Sequence, residues 1–235
     1  MSCTEKLQAL DWEALQRDLD HRGYGLTPPL LSAAECAGLA SLYDHPDNFR
    51  TTVVMARHGF GSGEYKYFRY PLPPLVQALR TLLYEQLAPL ANHWAQALRL
   101  QQHWPDNHAE LLELCRRQGQ TRPTPLLLDY STGDYNCLHR DLYGDLHFPL
   151  QAVILLSRPG EDFDGGLFTL VENRPRRQSR CEVPPLGFGQ ILVFPVRDRP
   201  RPSVRGYARA SMRHGVTTIS RGHRRTLGII FHDAL

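Results

Sequence analysis

After Thr121-Arg-Pro-Thr-Pro125 the apolar residues stop recurring at every third or fourth position and fall into short runs broken by glycine. That change of period limits the fold more than any other feature of the chain. The runs beyond it predict strands at Leu126 to Tyr130, Gln151 to Ser157, Leu167 to Val171, Gln190 to Phe194, Ser211 to Ile219 and Arg225 to Phe231. Gly133, Gly165-Gly166, Gly187, Gly189 and Gly222 punctuate them. Before the change, helices are expected. Leu7, Leu10, Trp12, Leu15 and Leu19 recur at helical spacing up to Gly23, and Ser32-Ala-Ala-Glu35 reads as a capping box that opens a second helix to about Tyr43. The stretch from about Pro74 to Leu100 predicts a helix broken near Pro89, and another helix spans about His108 to Arg117. Arg57 to Tyr67 carries Gly59, Gly61 and Gly63 and predicts a flexible loop, either one able to reach over a site or a plain surface connection. The expectation is an α+β protein with a mainly β core. Residues 1–120 would form a helical region packed on a core of residues 121–235, an antiparallel sandwich or barrel, within one integrated domain.

A chain of 235 residues can bury a substantial core. No apolar run approaches the length of a membrane span, so no membrane association is expected, and the acidic, polar N-terminus lacks the order of a secretory signal. The cysteines Cys3, Cys36, Cys115, Cys137 and Cys181 are odd in number and lack a Cys-x-x-Cys pair, which favours reduced thiols over a disulfide framework or a zinc site. A cytoplasmic location is the expectation, and no obligate protein partner is evident.

The net charge of +3 conceals an asymmetry. From Arg174 to Arg225 there are 13 arginines against Glu182 and Asp198, leaving the rest of the chain acidic. Arg174, Arg176, Arg177, Arg180, Arg199, Arg201, Arg205 and Arg209 would steer a phosphate-rich or acidic partner if they surround a site; a solvated surface is the plainer reading.

His139-Arg-Asp141 follows Tyr130-Ser-Thr-Gly-Asp-Tyr135. At i and i+2 of a strand an imidazole and a carboxylate share one face and one ion. A further imidazole would complete a set of two histidines and a carboxylate, which leaves open positions on Fe(II) for a co-substrate and oxygen. His214 is the best candidate, in a later strand with a basic residue ten positions on. His45-Pro-Asp47 has the same spacing, but its proline and asparagine surroundings favour a turn that need not align the pair.

The segments Tyr130-x-x-Gly133-x-Tyr135-x-x-x-His139-x-Asp141, Phe163-x-Gly165-Gly166-x-Phe168, Gly189-Gln-Ile-Leu-Val-Phe194 and His214-Gly-Val-Thr-Thr-Ile-Ser-Arg-Gly222-His-Arg224-Arg-Thr226 together resemble the 2-oxoglutarate/Fe(II)-dependent oxygenase superfamily. The pattern covers about Leu126 to His232. A closer resemblance, to bacterial oxygenases grouped as nucleic-acid-modifying, extends through the N-terminal helices. The resemblance implies a double-stranded β-helix, or jelly roll, with His139, Asp141 and His214 as metal ligands. It further implies that Arg224 holds the distal carboxylate of 2-oxoglutarate and that Tyr130 helps bind the same acid. Thr226, on the same strand face as Arg224, would add a hydroxyl, whereas alternation sends Arg225 to the other side. The implied reaction couples O2 and the oxidative decarboxylation of 2-oxoglutarate to hydroxylation or oxidative demethylation, with no side chain acting as nucleophile.

A nucleic-acid substrate is the first reading. Tyr65, Tyr67 and Phe68 would stack on a base, Tyr135 and Asn136 adjoin the metal motif, and Arg174, Arg176 and Arg177 would meet the backbone. In one respect the chain departs from DNA dealkylases, which pair arginines six residues apart: Ile230 stands six after Arg224. The ten-residue gap from His214 to Arg224 resembles prolyl-hydroxylase-like members, so hydroxylation of a protein side chain or a small metabolite is the alternative. A non-enzymatic Arg-rich binding module is the third reading.

Overall fold

The computed structural model describes residues 2–204 and 206–235; Arg205 of the basic stretch lies outside them. Helices α1 (Cys3–Gln8) and α2 (Trp12–Arg22) open the chain, followed by strand β1 (Gly25–Leu26) and helix α3 (Ala33–Ser41). Ser32 and Glu35 form the expected reciprocal cap on α3. Next come β2 (Phe49–Val54), β3 (Gly61–Ser62), β4 (Glu64–Phe68) and the helices α4 (Pro74–Ala97) and α5 (His108–Arg117). The remaining strands are β5 (Leu126–Ser131), β6 (Tyr135–His139), β7 (Leu150–Leu155), β8 (Phe163–Gly165), β9 (Phe168–Asn173), β10 (Arg180–Glu182), β11 (Ile191–Pro195), β12 (Asp198–Ser203), β13 (Gly206–Val216) and β14 (Ile219–Ile230).

The strands form two antiparallel sheets. The major one runs β1-β11-β7-β14-β5-β4-β2, with β8 on β14; the minor one runs β10-β9-β13-β6-β3, with β12 on β13. Side-chain alternation explains how they stack. On β7, Leu150, Ala152 and Ile154 belong to a core shared with Leu79, Leu83, Leu87 and Trp94 of α4, whereas Val153 and Leu155 join Phe168, Leu170, Met212 and Val216 of the minor sheet. The major sheet is thus buried on both faces, which is why its central strands read as continuous apolar runs. Helices back it, and the minor sheet closes over its other face as in a double-stranded β-helix.

Three expectations are corrected. The first 120 residues are not purely helical: β1, β2 and β4 extend the major sheet and β3 extends the minor one. The helix over Pro89 is unbroken, because Pro89 faces solvent while its neighbours Leu87, Ala88, Leu90 and Ala91 are locked into the core. Burial on both sides outweighs the roughly 3 kcal/mol of an interior proline. The 57–67 stretch is no free loop. It folds as a 3-10 turn followed by β3 and β4, and β4 is hydrogen-bonded to β2 and β5. Its glycines serve close packing: at Gly63, φ +116°, a Cβ would stand 2.4 Å from the Tyr130 ring. No helix among the described residues is long and apolar enough to cross a membrane.

Candidate active site

Strand β6 ends at His139, whose Cα partner on β13 is His214, and Asp141 lies just beyond the strand end. The i, i+2 argument therefore holds for proximity but not for a shared strand, since the carboxylate comes from the loop. The ligand atoms of His139, Asp141 and His214 all lie within 4.8 Å of one another. His139 Nε2 is 3.5 Å from Asp141 Oδ1 and His214 Nε2 is 3.2 Å from Oδ2. His139 Nδ1 is 2.8 Å from the Cys137 carbonyl, an arrangement that makes it the N–H donor and leaves Nε2 as the lone-pair nitrogen facing the cluster. The His214 ring is packed between Phe168, stacked at 5.8 Å, and Phe194 at 4.9 Å. His45-Pro-Asp47 sits across a 3-10 turn and joins no metal-ligand cluster among the described residues.

Burial alone would raise the Asp141 carboxyl, but hydrogen bonds and charge from His139 and His214 hold it well below its ordinary value. Burial and the neighbouring His139 push His214 down, towards the neutral form a metal requires. His139 is shifted upward, because Asp141 outweighs its burial.

Arg224 rises from β14 opposite Tyr130 on β5, with Thr226 next on the same face. Its side chain is 2% exposed, and among the described residues it has no acidic partner and its Nε has no hydrogen-bond acceptor. Burial brings it from 12.5 to about 10, against the opposing pull of Tyr130. Gly166 allows this position: a Cβ there would stand 2.9 Å from Arg224 Cδ and 2.3 Å from Ile219 Cδ1. The Tyr130 hydroxyl is likewise buried without a partner. Arg225 points the other way, to Asp129 and the Ala40 carbonyl, as alternation requires. The trio and Arg224 line one cavity of about 270 Å³. The donor set of the trio suits Fe(II), and an unpaired buried guanidinium suits the remote carboxylate of 2-oxoglutarate.

Residues 63–234 match a family model described as "Oxygenase, catalysing oxidative methylation of damaged DNA". The chain belongs to this oxygenase family. It is 47% identical, over 71% of its own length and 72% of theirs, to uncharacterised proteins from two strains of Mycobacterium tuberculosis. The fold is similar to that of a Pseudomonas putida prolyl-4-hydroxylase, at a TM-score of 0.55 with 17% identity over 95% of this chain and 100% of the other. A Burkholderia pseudomallei oxidoreductase of the 2OG-Fe(II) oxygenase family superposes at 0.55 with 15% identity, covering 96% and 93%. Family, fold and cavity together make the protein a 2-oxoglutarate/Fe(II)-dependent oxygenase.

The oxygenase brings some of the expected substrate residues to its cavity and withholds others. Tyr65, Tyr67 and Asn136 line it, and so does Phe60 from the 57–67 stretch. Phe68 does not: it is buried in the helix-side core, stacked on Phe49. Tyr135 is exposed, outside the lining. The basic stretch does not ring the mouth. Arg174 and Arg201 pair with Glu172 Oε1, Arg199 with Glu172 Oε2, Arg180 with Glu182 and Arg209 with Asp198. Arg176 and Arg177 are exposed in the β9–β10 turn, also outside the lining. Arg140 turns its guanidinium to the Met212 carbonyl and Ser211 Oγ.

The sequence argument missed Tyr143 and Gln151. The Tyr143 hydroxyl donates to Asp141 Oδ1 at 2.8 Å and receives a hydrogen bond from Tyr67 at 2.8 Å. Burial and the Asp141 charge keep the Tyr143 phenol protonated, well above its ordinary value. An aromatic two residues after the acid was the available signal. Gln151, buried in an otherwise apolar strand, lines the cavity with its Nε2 unpartnered. A lone amide in the run Gln151-Ala-Val-Ile-Leu-Leu156 was the signal there.

Proposed function

We propose that this oxygenase oxidises an alkylated or methylated base of a nucleic acid, presented outside the duplex, with His139, Asp141 and His214 holding Fe(II) and Arg224, Thr226 and Tyr130 holding 2-oxoglutarate. The observation that carries the co-substrate assignment is the buried Arg224 with no acid beside it. When bound, iron and 2-oxoglutarate supply the oxidising power, with succinate and carbon dioxide as co-products.

The chain's own groups orient and insulate. His139 is fixed in its tautomer by the Cys137 carbonyl, and Tyr143 donates to Asp141 Oδ1, a contact that would orient the carboxylate that holds the metal. Phe168 and Phe194 clamp the His214 ring and keep water from that side. Phe60, 47% exposed, together with Tyr65 and Tyr67 offers aromatic surface on the approach to the trio. A base extruded from its stack would contact such surface. The description of the matching family, which concerns damaged DNA, supports the same substrate class.

Hydroxylation of a protein side chain is the second reading. It is favoured by the commitment of Arg174, Arg199, Arg201, Arg180 and Arg209 to internal acids, which removes much of the charge expected to meet a polyanion. A reducing, cytoplasmic setting is part of the proposal, and the free cysteines, with Cys3, Cys36 and Cys115 buried, are in keeping with it. The test is succinate release with Fe(II) and 2-oxoglutarate, comparing single-stranded oligonucleotides bearing methylated bases with proline-containing peptides, and mass spectrometry of each substrate. Oxidised oligonucleotide with unmodified peptide is the expected result; the reverse would install the second reading.

A further inference from the structure

The cavity is polar at one end in a way the cofactors do not use. Along β14 its inward residues are Arg224, Thr226, Gly228 and Ile230, so Ile230 lies roughly 20 Å along the strand from Arg224 at about 3.3 Å per residue. Gln151 is the Cα partner of Ile230 on one side and of Phe194 on the other, and the Phe194 ring abuts His214. Gln151 and Arg224 therefore stand at opposite ends of the cavity, with Gln151 next in the ladder to the Phe194 that abuts His214. It is 2% exposed and its Nε2 has no partner among the described residues. Two hydroxyls that line the same cavity are already committed: Tyr67 donates to Tyr143, and Tyr143 donates to Asp141.

The same inventory fixes the charge the cavity accepts. Asp141 is the one acid lining it among the described residues, and it is engaged with Tyr143 and the two histidines. No acid is left to neutralise a cationic group brought next to His139 and His214. A buried, unneutralised cation is costly, whereas an uncharged heterocycle between aromatic side chains needs only hydrogen-bond partners.

Resting on the nucleic-acid reading above, we propose that Gln151 reads the substrate by donating from Nε2 to the exocyclic oxygen at C4 of a pyrimidine, where cytosine carries an amino group instead, and that the base this site takes is uncharged. Alkylation at N3 of cytosine fixes a positive charge at neutral pH; alkylation at N3 of thymine does not. Single-stranded oligonucleotides carrying N3-methylthymine or N3-methylcytosine are thus a pair close in size, one neutral and one cationic.

The experiment measures kcat/KM on both with the Fe(II)-loaded wild type, Gln151→Leu and Gln151→Glu. Thermal melting and the visible absorption band of the Fe(II)–2-oxoglutarate chelate confirm that each variant is folded and loaded. The wild type is expected to favour N3-methylthymine by roughly tenfold or more, Gln151→Leu to lose that margin through the thymine substrate, and Gln151→Glu to reverse it. Wild-type preference for N3-methylcytosine, or an unchanged ratio in Gln151→Leu, overturns the assignment while leaving nucleic-acid oxidation standing. A weakened 2-oxoglutarate titration in Gln151→Leu, with the ratio intact, overturns it in favour of a co-substrate contact. Turnover of neither oligonucleotide by enzyme that shows the absorption band overturns the nucleic-acid reading and this inference with it.

Discussion

Two arginines between the sheets, Arg199 and Arg224, are each 2% exposed and meet opposite surroundings. Arg199 donates from Nε and Nη2 to Glu172 Oε2 at 2.9 and 2.6 Å and from Nη1 to the Asp20 carbonyl, at the end of the barrel that α2 covers. Arg174 and Arg201 close on the other oxygen of Glu172. Arg224, in the cavity with the metal trio, has no acid among the described residues. A cation removed from water is destabilising unless paired. At the covered end the chain supplies the counter-charge, and at the cavity, among the described residues, it supplies none. Burial and charge together do not mark a binding site; burial, charge and a missing partner do.

The comparison breaks most completely if the cavity loses its metal. Asp141→Ala is expected to abolish the Fe(II)–2-oxoglutarate absorption band and reduce succinate formation to background, while the melting temperature stays close to that of the apo wild type. Retained turnover in metal-replete protein would remove the trio from the active site.

Arg224→Met comes next. It should weaken 2-oxoglutarate binding by about 30-fold or more, the usual cost of deleting one half of a buried charge pair. It should also raise the melting point of the ligand-free protein, because a buried unpaired cation disappears. The pH dependence gives the sign. Since Arg224 is lowered in the folded state from 12.5 to about 10, its destabilisation is fully present below pH 10 and relieved above it. The stability advantage of Arg224→Met should therefore shrink as pH rises through about 10, read by chemical denaturation.

Arg199→Met should do the opposite of Arg224→Met: lose up to about 3 kcal/mol of stability by exposing Glu172 to an incomplete partner set, and leave the 2-oxoglutarate dissociation constant unchanged. Equal effects on co-substrate binding in both variants would dissolve the distinction between the two ends. Tyr143→Phe, which removes the hydrogen bond to Asp141 Oδ1, should weaken Fe(II) binding by about 10- to 100-fold, measured by competition with a chelator, with little effect on folding. The smallest effect is expected at the surface. Arg176→Ala with Arg177→Ala should lower the salt slope of single-strand binding by about 1.4 if both meet phosphates, and not at all if the strand approaches from Phe60.

Much of this site was legible before folding. His139 and Asp141 stood out by their spacing, with His214 as a candidate third ligand, and the resemblance to the oxygenase superfamily added Arg224, with Thr226 on the same strand face; the structure brings all five to one cavity. The basic stretch misled for a related reason. Charge is visible in a sequence, but pairing is not, and Glu172 gathers Arg174 from just past the end of β9 and Arg199 and Arg201 from β12. The 57–67 stretch misled because glycine signals flexibility and close packing with the same letter; at Gly63 the Tyr130 ring decides between them.

By itself, then, the sequence determined the strand-rich pattern beyond residue 121, the cap at Ser32 and the pairing of His139 with Asp141, because each depends on residue type and spacing over a few positions. Only the tertiary structure decided which buried polar groups lack partners. Among the described residues, Arg224 Nε, the Tyr130 hydroxyl and Gln151 Nε2 are left without partners not by their neighbours in the chain but by what the two sheets bring against them, and that follows from long-range packing alone.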